Sequence, residues 1–294
     1  MSTYSLNRHR RFSLNQSSIN QTPDPIVTMW VNRVTATGGP TPSTNTQQAL
    51  TTFIQTLESN NLLSSMYAVN CFVPDSLSAS ICPLITTVGN NVWTNTNFTS
   101  SDISVNGLKG DASSRYLNTG INAFPLFQNS SSAGMTMYAY TTCSSGQYDN
   151  GYTNNAGTIQ FALDSNNTNN NKNATFTCWG IDAQDSASFL PSAGTTGFYL
   201  SGNRLFSNDC RLYIANSQIS HSQVSQNVGS MSAAPTNQPI YTHAAWGYQL
   251  STAFGYSNVC MSFFAVHVGL TPAQSSILFT AVQTMRQSLG GGFV

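Results

Sequence analysis

The sequence predicts an all-β jelly-roll sandwich with a short helical lead-in and a C-terminal helix. Three observations carry this. From about residue 100 the chain falls into short apolar runs with period-two alternation, such as Met135, Met137 and Ala139 opposite Tyr138 and Tyr140. Turns rich in Gly, Asn, Ser and Asp separate the runs, as in a sandwich or jelly roll. The chain then closes in a helix with marked start and stop signals after residue 270.

Residues 1–25 read as an extended arm. Periodicity is absent, and Thr22-Pro23-Asp24-Pro25 closes the segment with a proline pair that favours extended backbone. Tyr4, Arg8, Arg10, Arg11 and Phe12 are its anchors if it orders on a partner; the segment reads equally as a plain tail. Residues 26–99 form the helical lead-in. Gly38-Gly39-Pro40 marks a turn, Thr44 and Gln47 have capping-box spacing, and Ala49, Leu50, Phe53, Ile54 and Leu57 recur at helical spacing. Asn60-Asn61 interrupts the pattern before Leu62, Leu63 and Met66.

Residues 100–294 hold the strands, expected at 112–119, 134–143, 157–164, around Phe176 and Cys178, and at 198–200, 210–214 and 260–268. The Asn-rich stretch 165–173 is too polar to pack and joins two strands at a rim. In the closing helix Thr271 is the cap, Pro272 suits the first position and Gln274 completes a capping box. Leu278, Val282, Met285 and Leu289 form an apolar stripe, and Gly290-Gly291-Gly292 stops the helix.

Only 7% of the 294 residues are charged, against about 25% in an ordinary soluble domain. Polarity comes instead from Ser, Thr, Asn and Gln, which form hydrogen bonds but do not move protons at neutral pH. Hydrophobic residues, at 40%, are enough for a sizeable core, and a formal net charge of zero sets the chain apart from disordered sequences. Balanced charge leaves little counterion-release energy on nucleic acid and little attraction to an anionic membrane. No apolar run reaches the roughly 18 residues that span a bilayer. The polar N-terminus lacks the apolar core of a secretory signal, so synthesis in a cytosol is expected. The six cysteines form no CxxC pair, which argues against structural zinc, and they read as buried free thiols.

Catalytic patterns are sparse. Glycoside hydrolysis needs two carboxyl groups flanking the scissile bond. Glu58 is the sole glutamate, lies in the lead-in helix, and no closely spaced carboxylate pair stands on one strand; Asp182 and Asp185 come nearest, in an expected loop. There is no GxSxG elbow, no P-loop and no dinucleotide fingerprint. His221, His243 and His267 stand apart from partner motifs, and His267 reads as a hydrogen-bonded structural residue among apolar neighbours. The expectation from the residues is therefore a protein that is not an enzyme and needs no cofactor.

The core strand Phe263-Phe264-Ala265-Val266-His267-Val268, the Gly269-Leu270 turn and the Thr-capped helix resemble the ending of concanavalin A-like, laminin-G-type jelly-roll modules of phage and other virion proteins. Residues 106–111 followed by 113–120 look like the first strand pair of such modules, and residues 49–66 leading into Tyr67-Ala68-Val69-Asn70 resemble their helical lead-in. The match spans roughly residues 27–294. It implies a virion structural protein, such as a capsid decoration, head-fibre or tail component. The implied partners are other virion proteins and further copies of itself, with assembly in the host cytoplasm and no nucleic-acid partner. It also implies calcium held by rim aspartates, for which Asp111, Asp149, Asp164 and Asp209 fall in expected turns. Turn aspartates serve local hydrogen bonding just as often.

The alternative expectation is a glycan- or receptor-binding adhesin. Sugars are held by aromatic faces together with Asn, Asp and Gln. Tyr148, Asp149, Asn150 and Tyr152 form the favoured loop, with Trp179, Trp246 and Tyr248 next. Trp179 and Trp246 adjoin expected strands and read equally as core, and the tyrosine loop equally suits packing against another subunit.

Overall fold

A computed structural model of the chain describes residues 22–127, 132–141, 148–153, 160–165, 174–179, 181–185, 197–206, 208–217, 220–227, 238–247 and 252–292. Five helices are α1 (Pro25–Ala36), α2 (Thr44–Ser59), α3 (Leu77–Ser80), α4 (Ala123–Phe127) and α5 (Pro272–Ser288) among these residues. The first nine strands are β1 (Met66–Asn70), β2 (Ile85–Thr86), β3 (Thr94–Thr96), β4 (Ile103–Ser104), β5 (Gly107–Lys109), β6 (Tyr116–Asn122), β7 (Ala133–Thr141), β8 (Asn150–Thr153) and β9 (Gln160–Asp164). The remainder are β10 (Ala174–Cys178), β11 (Ile181–Asp185), β12 (Phe198–Phe206), β13 (Asp209–Asn216), β14 (Ser222–Asn227), β15 (Pro239–Thr242), β16 (Ala245–Gly247), β17 (Thr252–Phe254) and β18 (Cys260–His267).

The strands form two sheets, as the sequence predicts for an all-β sandwich. The first runs β14-β13-β12-β7-β18-β1-β2, with β5 pairing both β18 and β4. The second runs β11-β10-β9-β8-β15-β6-β3, with β16 pairing β8 and β17. Pairing is antiparallel except between β16 and β8. Between the sheets lies one core, in which Met137, Leu200 and Phe264 from the first sheet meet Leu117, Phe161 and Phe176 from the second. Trp179 stacks on Phe161 at 5.2 Å and donates its indole N–H to the Tyr152 hydroxyl at 2.7 Å.

The first sheet is covered on its other face as well. Tyr138, Tyr199, Phe263 and Ala265 point away from the inter-sheet core into a second one, closed by α1, α2 and α5. Phe53 of α2 meets Phe263 edge-on at 5.8 Å. This double burial explains why β18 is buried at all eight positions rather than alternately.

The helices form where capping chemistry permits. At α5 the Thr271 hydroxyl accepts from the Gln274 amide, and the Gln274 side chain accepts from the Thr271 amide, so the expected capping box is present. At α2 the cap is Ser43, whose hydroxyl accepts from the Thr46 amide, one residue earlier than the spacing of Thr44 and Gln47 implied. The proline pair at 23–25 lies at the start of a helix, and the arm before it falls outside the described residues. Asp24 accepts from the Ile26 amide at 2.8 Å and Pro25 occupies the first turn, so this motif starts α1. The Trp30 indole then donates to the Cys82 carbonyl at 2.9 Å, and Arg33 donates to the Pro83 carbonyl at 2.7 Å.

The segment 26–99 is more than a helical lead-in, because β1, β2 and β3 belong to the two sheets and β1 pairs directly with β18. The strand expected at 112–119 begins only at Tyr116, because Asp111 draws the preceding residues into a turn. The five described cysteines, Cys71, Cys82, Cys178, Cys210 and Cys260, are buried free thiols.

Two histidines pin the layers together. The His267 Nδ1–H donates to the Val268 carbonyl at 2.6 Å, which leaves Nε2 to accept from the Thr136 hydroxyl at 2.8 Å. Its ring fills the space beside Gly134 on β7, where a Cβ would lie 2.3 Å from the imidazole. The His243 Nε2–H donates to the Leu108 carbonyl at 3.0 Å, between the rings of Phe72 and Phe98.

Two predictions follow from this packing. Leu278, Val282 and Met285 are each no more than 2% exposed, so replacing any one with Ala should cost about 2–5 kcal/mol in a urea unfolding titration. Near-neutral effects at all three would show the stripe unburied. Burial pushes His243 and His267 down from 6.5 to about 4. The unfolded chain therefore takes up protons at these rings before the folded chain does. Stability should be fully present above pH 6.5 and fall as pH drops towards 4. Urea midpoints at stepped pH read this, and a flat profile would contradict it.

Candidate functional site

Alternation on β6 sends Leu117, Thr119 and Ile121 inward and leaves Tyr116, Asn118, Gly120 and Asn122 half-buried on the outer face of the second sheet. The register sets Tyr241 of β15 beside Asn118 on one side and Gly151 of β8 on the other. Tyr241 stacks on Tyr116 with ring centroids 5.0 Å apart and planes 12° from parallel. Tyr256 leans on the same ring at 6.0 Å, and its hydroxyl donates to the Ala253 carbonyl at 3.0 Å. The row continues through the turn at 254–256, where Tyr148 meets Phe254 edge-on at 5.3 Å. Gly255 has φ +60°, and a Cβ there would lie 2.6 Å from the Tyr148 ring, so the turn and the ring both require glycine.

Burial, and then the neighbouring phenols of Tyr116 and Tyr256, push Tyr241 up to about 12. Burial, followed by Tyr116 and Asp111, raises Tyr256. Both hydroxyls are thus neutral donors at ordinary pH. The charges beside this face are paired with one another. Arg115 Nη1 lies 2.8 Å from Asp102, and its Nε lies 3.8 Å from Asp111. Partial burial pushes the Asp111 carboxyl up, but the amides of Ser114, Ser113 and Arg115 and the Ser114 hydroxyl outweigh it and hold Asp111 well below the usual carboxylate range.

Beneath the tyrosines Asp149 acts as a hub. Its carboxylate accepts from the Ser257 hydroxyl and the Ser165 amide, each at 2.7 Å. Its amide donates to Asp164 Oδ1 at 3.0 Å, and its carbonyl accepts from the His243 amide at 2.7 Å. Four segments that carry or flank the aromatic row meet at this residue. Asp164 is pushed well above the usual carboxylate range by burial and then by the charge of Asp149. The fold therefore brings two carboxyl groups near each other, one just before β8 and one at the end of β9.

Of the sugar-binding residues expected from sequence, Asp149, Asn150, Tyr152 and Trp179 are wholly buried. They build the face rather than touch a ligand on it. The physical reason is that 150–153 is not a loop but strand β8, with Tyr152 on its inward side. Trp246 lies on β16 with a side chain outside the described residues, and Tyr248, like Tyr4, Arg8, Arg10, Arg11 and Phe12 of the arm, is outside them too. Tyr148 remains, half-buried in the aromatic row. Sequence reasoning missed Tyr116, Tyr241, Phe254 and Tyr256. The alternation Tyr116-Leu117-Asn118 was the available signal for the first, whereas only the register brings the others to it.

The four turn aspartates named for calcium do not converge. Asp111 binds its own turn, Asp209 pairs with Arg211 at 2.9 Å, and only Asp149 and Asp164 meet. Among the described residues no group of three or more metal-ligating side chains forms.

No family model and no curated protein matches the chain. Solved structures do. A GH54 α-L-arabinofuranosidase soaked with a cyclic sulfate inhibitor aligns with 61% of this chain and 41% of its own, at 9% identity and TM-score 0.41. A Trypanosoma rangeli sialidase in complex with 2,3-difluorosialic acid aligns with 79% of this chain and 39% of its own, at 10% identity and TM-score 0.42. A tailspike protein from an Escherichia coli O157:H7 bacteriophage aligns with 64% of this chain and 26% of its own, at 12% identity and TM-score 0.35. The aligned part is less than half the length of each. These are all-β structures, and no substrate, partner or residue role is taken from them.

The expectation that the chain is not an enzyme is withdrawn: glycoside hydrolases stand among the similar structures. Asp149 and Asp164, fifteen residues apart in sequence, do lie near enough for the charge of one to act on the other, but both are buried beneath the face.

The pair has a measurable signature. A carboxyl held above its ordinary value stabilises the fold below pH 3.8 and loses that contribution as pH rises through its folded value. Asp164→Asn, which stays neutral, should gain stability over the parent chain progressively from pH 4 to pH 8 in thermal unfolding. A difference constant with pH would show that Asp164 is not desolvated beside Asp149.

Proposed function

We propose that this chain is a concanavalin A-like jelly-roll module of a virion, and that it binds a neutral glycan or glycosylated receptor across the outer face of its second sheet. The half-buried rings of Tyr116 and Tyr256, backed by the buried ring of Tyr241, carry the reading. Flat aromatic rings offer apolar faces to the C–H side of a sugar, and neutral phenols with Asn118 and Asn122 alongside offer hydrogen bonds to its hydroxyls. The nearby ions are held to one another, Arg115 to both Asp102 and Asp111, which leaves one net negative charge at the edge of the face and no free cation on it.

Placement in a virion, as a decoration, head-fibre or tail component that assembles with other virion proteins and with further copies of itself, rests on the sequence likeness around β18 and α5. The arm with Tyr4, Arg8, Arg10, Arg11 and Phe12 is the proposed contact for that assembly.

Titration calorimetry against a panel of neutral oligosaccharides tests the binding reading. Tyr116→Ala and Tyr256→Ala should each lower affinity at least tenfold, about 1.4 kcal/mol. The parent affinity should hold up to about 1 M salt, where charge interactions are screened within about 3 Å. Binding that survives both substitutions, or that collapses with salt, would remove the tyrosine face from the function.

A further inference from the structure

The last turn of α5 carries a buried cation that no carboxylate of the described chain neutralises. Arg286 is fully buried beneath the turn at 290–292, where the Gly291 amide donates to the Arg286 carbonyl at 2.9 Å. Its Nη2 donates to the Val105 carbonyl. Its Nε and Nη1 are buried and have no partner among the described residues. The ionisable groups whose charge acts on it are Cys71, Tyr138 and Cys260, none of them an acid at ordinary pH. Burial pushes the Cys71 thiol up to about 12 and raises Cys260 as well, so neither supplies a thiolate. The Tyr138 hydroxyl is engaged as a donor to Gln283 at 2.9 Å. A second cation, Lys109, acts on Cys260 in the same region. The C-terminal end of α5 contributes only a partial negative charge.

A guanidinium out of water with two idle donors is among the costliest arrangements in a folded chain, and an anion is what relieves it. The site is also close to the surface. Val105 is 48% exposed, and a Cβ placed on Gly290 would meet open space.

We propose that Arg286 is the floor of an anion site, reached past Val105 and the glycine turn at 290–292, which takes one oxyanion of the carboxylate or phosphate type on its guanidinium. Glycines suit that entrance because they leave a short path to the guanidinium; a Cβ at Gly291 would lie 2.8 Å from Nη2. The site is independent of the tyrosine face, being built from α5 and the turn between β4 and β5.

Thermal unfolding of the full chain in inorganic phosphate, in acetate and in chloride, all at matched ionic strength, tests this. Phosphate or acetate should raise the melting temperature saturably at millimolar concentration, by binding to the folded chain alone. The rise should vanish in Arg286→Met. A response to acetate alone would assign a carboxylate, such as one offered by a protein partner; a response to phosphate alone would assign a free or lipid-borne phosphate. If Arg286→Met fails to fold, the Nε–H resonance of Arg286 in the parent chain should move on titration with the same ions. No saturable rise over chloride with a static Arg286 resonance, or an equal rise in Arg286→Met, would overturn the site.

Discussion

Burial of β18 on both faces is the constraint on which the other elements depend. A strand with one wet face needs a single partner layer. Cys260–His267 has no wet face, so a second sheet must close one side and helices the other. The inter-sheet core and the helix-side core therefore share a wall one strand thick. Phe264 faces one and Phe263 the other, and neither core is complete without the strand between them.

This arrangement also explains why the N-terminal region is integral to the fold. β1 lies along β18 with Asn70 opposite Phe264, and the chain between β1 and the helices before it is short. α1 and α2 are consequently held over the strand they cover by the strand that flanks it. Side-chain bonds from Trp30 and Arg33 to the backbone at 82–84 fasten the same layer from outside. A sequence boundary near residue 100 follows a change in periodicity, not a change in structural unit.

The parts of the fold legible in the sequence were those with local causes. The capping box at Thr271, the stripe on α5 and the alternation of β7 are each written within a few residues and appear as expected. α1 had a local cause too, an Asp cap followed by proline, but the same residues also describe the end of an extended segment. The candidate site was far less visible. Tyr116, Tyr241 and Tyr256 lie 125 and 15 residues apart in turn, and they meet only because β6 and β15 pair in one register. The same holds for Asp149 and Asp164, whose meeting depends on the ends of β8 and β9 converging. Tyr152 and Trp179 misled for the opposite reason. Aromatic residues beside Asn and Gly resemble a binding loop in composition, while their strand parity turns them inward.

The fit of the His267 ring against Gly134 bears on how such a chain can diverge. The imidazole occupies the volume where any other residue at 134 would carry its first carbon, and its two nitrogens are committed to Val268 and Thr136. A larger residue at 134 needs a smaller one at 267 and a shift of the Gly202 carbonyl, which lies 2.9 Å from the same point, and it would leave the Thr136 hydroxyl with Ser201 as its remaining partner. Among descendants of this sequence a glycine at 134 and a histidine at 267 should therefore be kept or lost together, while Thr136, which keeps Ser201, is freer to change.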